Sequence, residues 1–389
     1  MKNRYLIFTL LASLILAACH KEDDLIKEPK VTETSVEIFA TQATFSWSVD
    51  WLGRLNSVVE LSENADMSAS RYIGSDAETE NHEFSATATG LKPDVKYYYR
   101  YVVWNRNYEN DKFLTEIRDV TMLELLEGGM VTGVFSVSPA TKVYFSQGNL
   151  QYRTSDGKWR FAERQYDCIG DANSNISSSY DGWIDLFGWG TSGWNSGATC
   201  YQPWSTNMSE SDYYPGGSYT NNLTGNYANA DWGVYNAISN GDNQAGLWRT
   251  LTMDEWVYVF NTRGTASGIR YAKACVNSQN GVILLPDDWS ASYYTLNSTN
   301  STGAGFTSNT ISAAQWTTLE QHGAVFLPAA GSRWYGTSVY DVGSCGYYWS
   351  VSCHRYAAYY VSFSDSRLNP RYEGSRYSGQ SVRLVRSAQ

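Results

Sequence analysis

The segment LWRTLTMDEWVYVFNTRG, Leu247 to Gly264, carries a full set of helix signals in a region that otherwise has few. Thr252 and Glu255 have the spacing of a capping box, in which each side chain satisfies the other residue's free backbone N–H. Leu251 and Trp256 are placed to clamp the entering chain as a hydrophobic staple. Trp256, Val259 and Phe260 share one helical face, and Gly264 after Arg263 reads as the stop. The same grammar recurs in ISAAQWTTLEQHG, with Ser312 and Gln315 as box, Ile311 and Trp316 as staple, and Gly323 as stop. Around these helices, Val134 to Gln389 is rich in Gly, Ser, Asn, Tyr and Trp and lacks long periodic runs. Two short capped helices in a mostly β and irregular setting predict an α+β domain.

Upstream the pattern changes. ATFSWSV puts Phe45 and Trp47 on one strand face, and SVVELS puts Val59 and Leu61 on another. Runs of period two divided by polar turns predict an all-β sandwich over 31–122. In GLKPDVKYYYRYVVWN, the residues Leu91, Pro93 and Tyr97 have the spacing of a tyrosine corner, ahead of a strand with Tyr99, Tyr101 and Val103 on one face. This stretch resembles a fibronectin type III domain across nearly its whole length. It shows no constellation of titratable groups, so it is read as a rigid spacer. LLEGGMVTG, Leu125 to Gly133, reads as a hinge within a linker at 123–133.

At the start, Lys2 and Arg4 precede the apolar run Leu6 to Leu16, which is too short to span a bilayer and has the build of a secretion signal over 1–18. The run ends in Leu16-Ala17-Ala18-Cys19, which resembles a bacterial lipobox; the resemblance implies lipidation of Cys19 and anchoring to a membrane through that lipid. The polar stretch that follows, 19–30, reads as a tether, and its acidic trio Glu22-Asp23-Asp24 resembles the surface-export signal of lipoproteins of the Bacteroidota. The expected address is the outer membrane, with the protein exposed at the cell surface. Of 29 basic residues, loss of Lys2 and Arg4 leaves 27 against 39 acidic, a formal charge of about −12 that makes nucleic acid a poor partner. Five cysteines follow Cys19, an odd number without CxxC spacing, which argues against a disulfide framework or a zinc site and leaves one or two bridges open.

The second domain is similar to a known family through VYFSQGNLQY, WIDLFGWGTSGWN, GAVFLPAAG, and the closing YWS and SVRLVR. These resemble the Fibrobacter-succinogenes-type major paralogous domain, a C-type-lectin-like family found on Bacteroidota lipoproteins and related to formylglycine-generating enzymes. The resemblance spans 134–389. It implies a multidomain chain in which the sandwich is followed by an α+β C-type-lectin-like domain. Enzymatic relatives use paired cysteines, but the spacing of Cys345 and Cys353 differs from theirs, and no acid or base is identifiable beside the pair. No catalytic residue is assigned. The calcium motifs of sugar-binding lectins are absent, and Asp287-Asp288 in LPDDW reads as a turn rather than a cation site. No metal and no cofactor are expected. His322 is read as structural at a helix end. The cluster Trp183, Phe187, Trp189, Trp194, Tyr201 and Trp204 is read as core rather than as a sugar-stacking platform.

The C-terminal stretch carries the functional expectation. In AYYVSFSDS, Tyr359, Val361 and Phe363 alternate with Tyr360, Ser362 and Ser364, so one face is read as buried and the other as polar. Tyr, Ser, Arg and Asp together have the composition of a paratope. Lectin-like lipoproteins of this kind resemble targets of diversity-generating retroelements, which rewrite Asn codons to Tyr, Ser, Asp, His, Cys, Arg or Gly and never to Lys or Met. Gly331 to Gln389 contains neither Lys nor Met. The residues read as ligand-binding are Tyr335, Tyr340, Asp341, Cys345, Tyr347, His354, Arg355, Tyr356, Tyr360, Asp365, Arg367, Arg371, Tyr372, Arg376 and Tyr377. The expected partner is an external protein, glycan or phage, bound for adhesion or recognition. Competing readings are an enzyme related to the formylglycine-generating enzymes and a passive surface-coat or assembly component.

Overall fold

Alternating side chains build the first of two units, Met1–Leu125 and Leu126–Gln389. The structure, a computed structural model, describes residues 28–38, 42–74, 82–92, 94–107, 110–122, 127–195 and 200–388. Cys19, the stretch 1–18 read as a leader, and Pro93 lie outside these residues. No described helix is long and apolar enough to cross a membrane.

In the first unit, Lys30–Ile38, Gln42–Asp50 and Glu83–Thr89 form one antiparallel sheet. Arg71–Gly74, Leu55–Ser62, Lys96–Asn105 and Phe113–Leu114 form a second, in that order, with Arg118–Thr121 also pairing to Lys96–Asn105. Phe45 and Trp47, Val59 and Leu61, and Tyr99, Tyr101 and Val103 are all buried in one core, as their alternation predicts. Tyr97 is buried with them, and its hydroxyl accepts a 3.0 Å hydrogen bond from the Lys92 N–H. Lys30, read as the end of the tether, already pairs with Asp50.

The second unit holds several small sheets and a few short helices, so the chain is a multidomain protein of mixed α+β architecture. Its first strand, Met130–Ser136, begins inside the stretch 123–133 read as a linker, because Val131 and Phe135 are core residues on alternating positions. That strand pairs with Lys142–Ser146, which pairs in turn with the last strand, Leu384–Ser387. Both predicted helices form with complete capping boxes, each worth about 1 kcal/mol. The staple residues Leu251, Trp256, Ile311 and Trp316 are buried. The first helix, Met253–Val257, runs on into a π turn over Tyr258–Thr262 and ends at Arg263 in an extended conformation. Gly264 is therefore not the cap. The second, Ala313–Gln321, ends where Gly323 takes a φ of +80°, donating to Glu320 O while Ala324 donates to Leu319 O. A Cβ on Gly323 would also lie 2.4 Å from Gly133 Cα, so two constraints fix glycine there. A four-residue helix, Trp232–Tyr235, was not anticipated.

Candidate functional site

Three antiparallel strands, Cys345–His354, Ala357–Ser364 and Arg367–Ser375, form the sheet that, together with its two connecting turns, carries most of the predicted contact residues. Its centre strand does not alternate simply. Val361 and Phe363 are buried as expected, yet Tyr360 is 3% exposed and Tyr359 is half-buried, the reverse of the sequence reading. Both faces of the strand are covered, Val361 and Phe363 lying in one core cluster and Ala358 and Tyr360 in another, and its neighbour Arg367–Ser375 carries a bulge. Tyr360 pairs with Tyr372 and Ser362 with Asn369, so Val361 alone faces Pro370 and Arg371. Pro370 has no N–H to give a ladder, and Asn369 Oδ1 accepts the Arg371 N–H at 2.9 Å, which holds the extra residue in place. As a result Arg371, Tyr372 and Glu373 are all exposed in succession.

These exposed side chains line a shallow depression of about 540 Å³ together with His354, Tyr359 and Asn369. His354 Nδ1 lies 2.7 Å from Glu373 Oε2, and its ring stacks on Tyr359 with centroids 5.8 Å apart. The Arg371 guanidinium lies 5.8 Å from the Tyr359 ring centre, and that of Arg367 lies 5.4 Å from Tyr372. Tyr372 also contacts Tyr360, which contacts Tyr347, whose hydroxyl donates to Asp341 Oδ2 at 3.0 Å. A second contact joins Tyr356, 62% exposed at the tip of the first hairpin, to the ring of Tyr219, 5.1 Å away.

Not every predicted contact residue belongs to this surface. Arg376 is 0% exposed: its guanidinium lies between the Trp189 and Tyr214 rings and donates to the carbonyls of Arg355, Tyr219 and Tyr213. It is a strut beneath the surface, and Tyr360 is likewise a floor residue. Asp365 is exposed but accepts the Phe306 N–H at 2.8 Å, which ties down a neighbouring turn. Tyr335 is 68% exposed at the tip of the hairpin formed by Ser332–Trp334 and Ser338–Tyr340, and Tyr340 is exposed at its end. Tyr377 is half-buried. Neither Tyr335 nor Tyr377 makes a side-chain contact with the aromatic network. Tyr359, Asn369, Glu373 and Tyr219 were missed; the Asn369-Pro370 dipeptide inside a strand was the sequence signal for a bulge.

Cys345 and Cys353 stand eight residues apart on one strand, roughly 26 Å, so they cannot act as a pair. Burial also raises both thiol pKa values, the opposite of what a reactive thiol needs. All five described cysteines are free. Among the described residues no group of acidic, His and Cys side chains could hold a metal. Asp287 instead accepts from Ser136 and pairs with Arg263 at 3.0 Å. His322 stacks on Tyr293 at 3.7 Å. Phe187, Trp189 and Tyr201 are core residues, Trp194 and Trp204 pack against that core, and Trp183 lies against the guanidinium groups of Arg153 and Arg160.

No family model and no curated protein matches the chain. Among solved structures, the sensor domain of an anti-sigma factor from Pseudobacteroides cellulosolvens is 21% identical over 26% of this chain and 99% of its own, with a TM-score of 0.22. A computationally redesigned β-sandwich protein is 21% identical over 26% of this chain and 98% of its own, with a TM-score of 0.20.

Proposed function

We propose that this chain is a lipid-anchored surface protein in which a fibronectin type III-like sandwich carries a C-type-lectin-like domain, and that the outer face of the C-terminal sheet recognises an external protein or glycan. The sandwich reading is supported by the three-strand and five-strand sheets and by the Lys92 to Tyr97 corner. The lectin-like reading is supported by the two capped helices and by the first and last strands of the second unit meeting through Lys142–Ser146. Anchoring rests on Cys19 and the leader sequence alone.

One observation carries the binding function. Tyr356 and Tyr372 stand exposed on the sheet and its hairpin tip with His354, Arg355, Arg367 and Arg371, and Tyr335 and Tyr340 stand exposed on the hairpin of Ser332–Trp334 and Ser338–Tyr340, a set of large side chains that a packing role does not require. Tyr335, Asp341 and Arg355 also adopt left-handed backbone, with φ of +49°, +61° and +50°. Glycine or asparagine is the usual occupant of such positions, so Tyr and Arg there indicate side chains chosen for what they touch. This fits a face diversified from Asn codons.

The test is exchange of the exposed positions between Tyr335 and Tyr377 with those of a sister protein, leaving Tyr360 and Arg376 in place. Ligand specificity should travel with the exchanged face. Specificity that stays with the recipient scaffold locates recognition elsewhere and defeats the proposal.

A further inference from the structure

Three exposed arginines on the C-terminal sheet and its hairpin tip, Arg355, Arg367 and Arg371, have side chains with no hydrogen bond or ion pair to any described residue. Elsewhere in the second unit, Arg153, Arg160, Arg249, Arg263 and Arg386 pair with carboxylates. Arg270 donates to a backbone carbonyl at 2.7 Å. Unpaired guanidinium groups are thus concentrated where the chain exposes its tyrosines. A guanidinium offers five N–H donors in a planar fork that matches a carboxylate. The Arg371 guanidinium lies 5.8 Å from the Tyr359 ring centre, and its N–H donors have no acceptor among the described residues.

The rest of the depression offers a different chemistry. Glu373 uses Oε2 for His354 and Asn369 uses Oδ1 for the Arg371 N–H, so Glu373 Oε1 and the Asn369 amide donors have no partner among the described residues. The hydroxyls of Tyr359 and Tyr372 likewise have no partner among the described residues. Aromatic faces flanked by an unpartnered carboxylate oxygen, an amide and phenol hydroxyls suit a ring that is apolar on its face and hydroxylated at its rim. The volume of about 540 Å³ is shallow and suits one or two such rings rather than a folded partner. The formal charge of −10 over the whole chain disfavours a polyanion, so any acid the site takes is held by the local guanidinium rather than by the field of the whole chain.

We infer that the depression lined by His354, Tyr359, Asn369, Arg371, Tyr372 and Glu373 takes a carboxylate-bearing sugar, with Arg371 holding the acid, the tyrosines the ring, and Glu373 and Asn369 the hydroxyls. This rests on the C-terminal face being the recognition surface and names its ligand class.

The test titrates the full chain with an oligosaccharide ending in a uronic or sialic acid and with the same oligosaccharide reduced to the alcohol. The acid form should bind, the reduced form should bind about tenfold more weakly, and Arg371→Gln should lose about tenfold toward the acid form alone. Arg371 is exposed, so the variant should fold as the parent does. Equal affinity for acid and alcohol, unchanged binding by Arg371→Gln, or no binding of any acidic sugar each overturn the inference. A ligand lost on Tyr356→Ser but indifferent to Arg371→Gln would overturn it while sparing the broader reading. A face exchange that carries no specificity defeats that broader reading on its own.

Discussion

Between Ser332 and Arg386 the chain uses arginine in two ways. Arg333, Arg376 and Arg383 are at most 1% exposed, whereas Arg355, Arg367 and Arg371 face solvent. The buried set has no carboxylate within ion-pair distance among the described residues and bonds instead to neutral oxygens. Arg333 donates to the carbonyls of Gly336 and Ser205, and Arg383 donates to Gln165 Oε1 at 2.6 Å. Burial lowers the pKa of both Arg333 and Arg383 to about 10, a measure of what it costs to hold these charges in the interior. Each buried guanidinium ties the C-terminal strands to a distant loop. A stretch rich in Tyr, Ser and Arg therefore contains both a surface and the frame beneath it, and composition alone does not divide them.

The largest expected effect separates those two roles. Arg376→Ala removes the donors to three carbonyls and empties the space between Trp189 and Tyr214, so it should cost about 3 kcal/mol or more of unfolding free energy. Lysine should not rescue it, since an ammonium cannot reproduce the planar fork. Arg371→Ala should change stability by less than about 0.5 kcal/mol. Urea unfolding of both variants decides the matter; comparable losses would mean that the exposed arginine is also structural.

Buried carboxylates extend the contrast to pH. Burial pushes Asp185 and Asp231 up to about 6 from an ordinary 3.8, against hydrogen bonds from Ile169 and Asn173 to the first and from Thr250 and Gly233 to the second. The folded second unit thus holds protons that the unfolded chain has already released. Its stability should fall as pH rises from about 4 to about 6, by a few kcal/mol at most, and level off above. Glu60 in the first unit behaves oppositely: burial works to raise it, but hydrogen bonds from Ser70 and Arg100 outweigh that and hold it low. Its contribution is present above its unfolded value and is lost as pH falls through the folded one. Hydrogen exchange of the strand Gln42–Asp50 in the first unit and of the strand Gln279–Leu284 in the second, between about pH 4.5 and 7, should show the second unit losing protection as pH rises, with the first unit not following. A second unit that gains protection with pH would break the assignment.

The sequence could be read where local rules act alone. Phe45, Trp47, Tyr99 and Tyr101 obey simple alternation, and Thr252 with Glu255 announces a helix start through spacing that needs no tertiary partner. The reading failed where a distant contact or an inserted residue intervened. Gly264 follows a π turn, so the expected helix stop was misplaced. A core cluster drawn from distant parts of the chain covers Tyr360, and the bulge at Pro370 exposes Arg371, Tyr372 and Glu373 in succession. Arg376 was read as a contact residue because its partners Trp189, Tyr213 and Tyr219 lie more than 150 positions away in the chain.

The smallest effect tests whether the exposed face gives up stability for its side chains. Arg355 is the first of two residues joining Cys345–His354 to Ala357–Ser364, and its φ of +50° is a conformation that costs most side chains about 1 kcal/mol. Asparagine tolerates it better through local hydrogen bonding, without the added unfolded-state freedom that glycine brings. Arg355→Asn should therefore stabilise the second unit by about 0.5 kcal/mol, and Tyr335→Asn by a similar amount. Both should weaken recognition of whatever ligand the face exchange identifies. Stabilisation together with lost binding would show that these turns hold strained residues for contact; stabilisation with unchanged binding would remove Tyr335 and Arg355 from the recognition surface and leave the sheet depression as its centre.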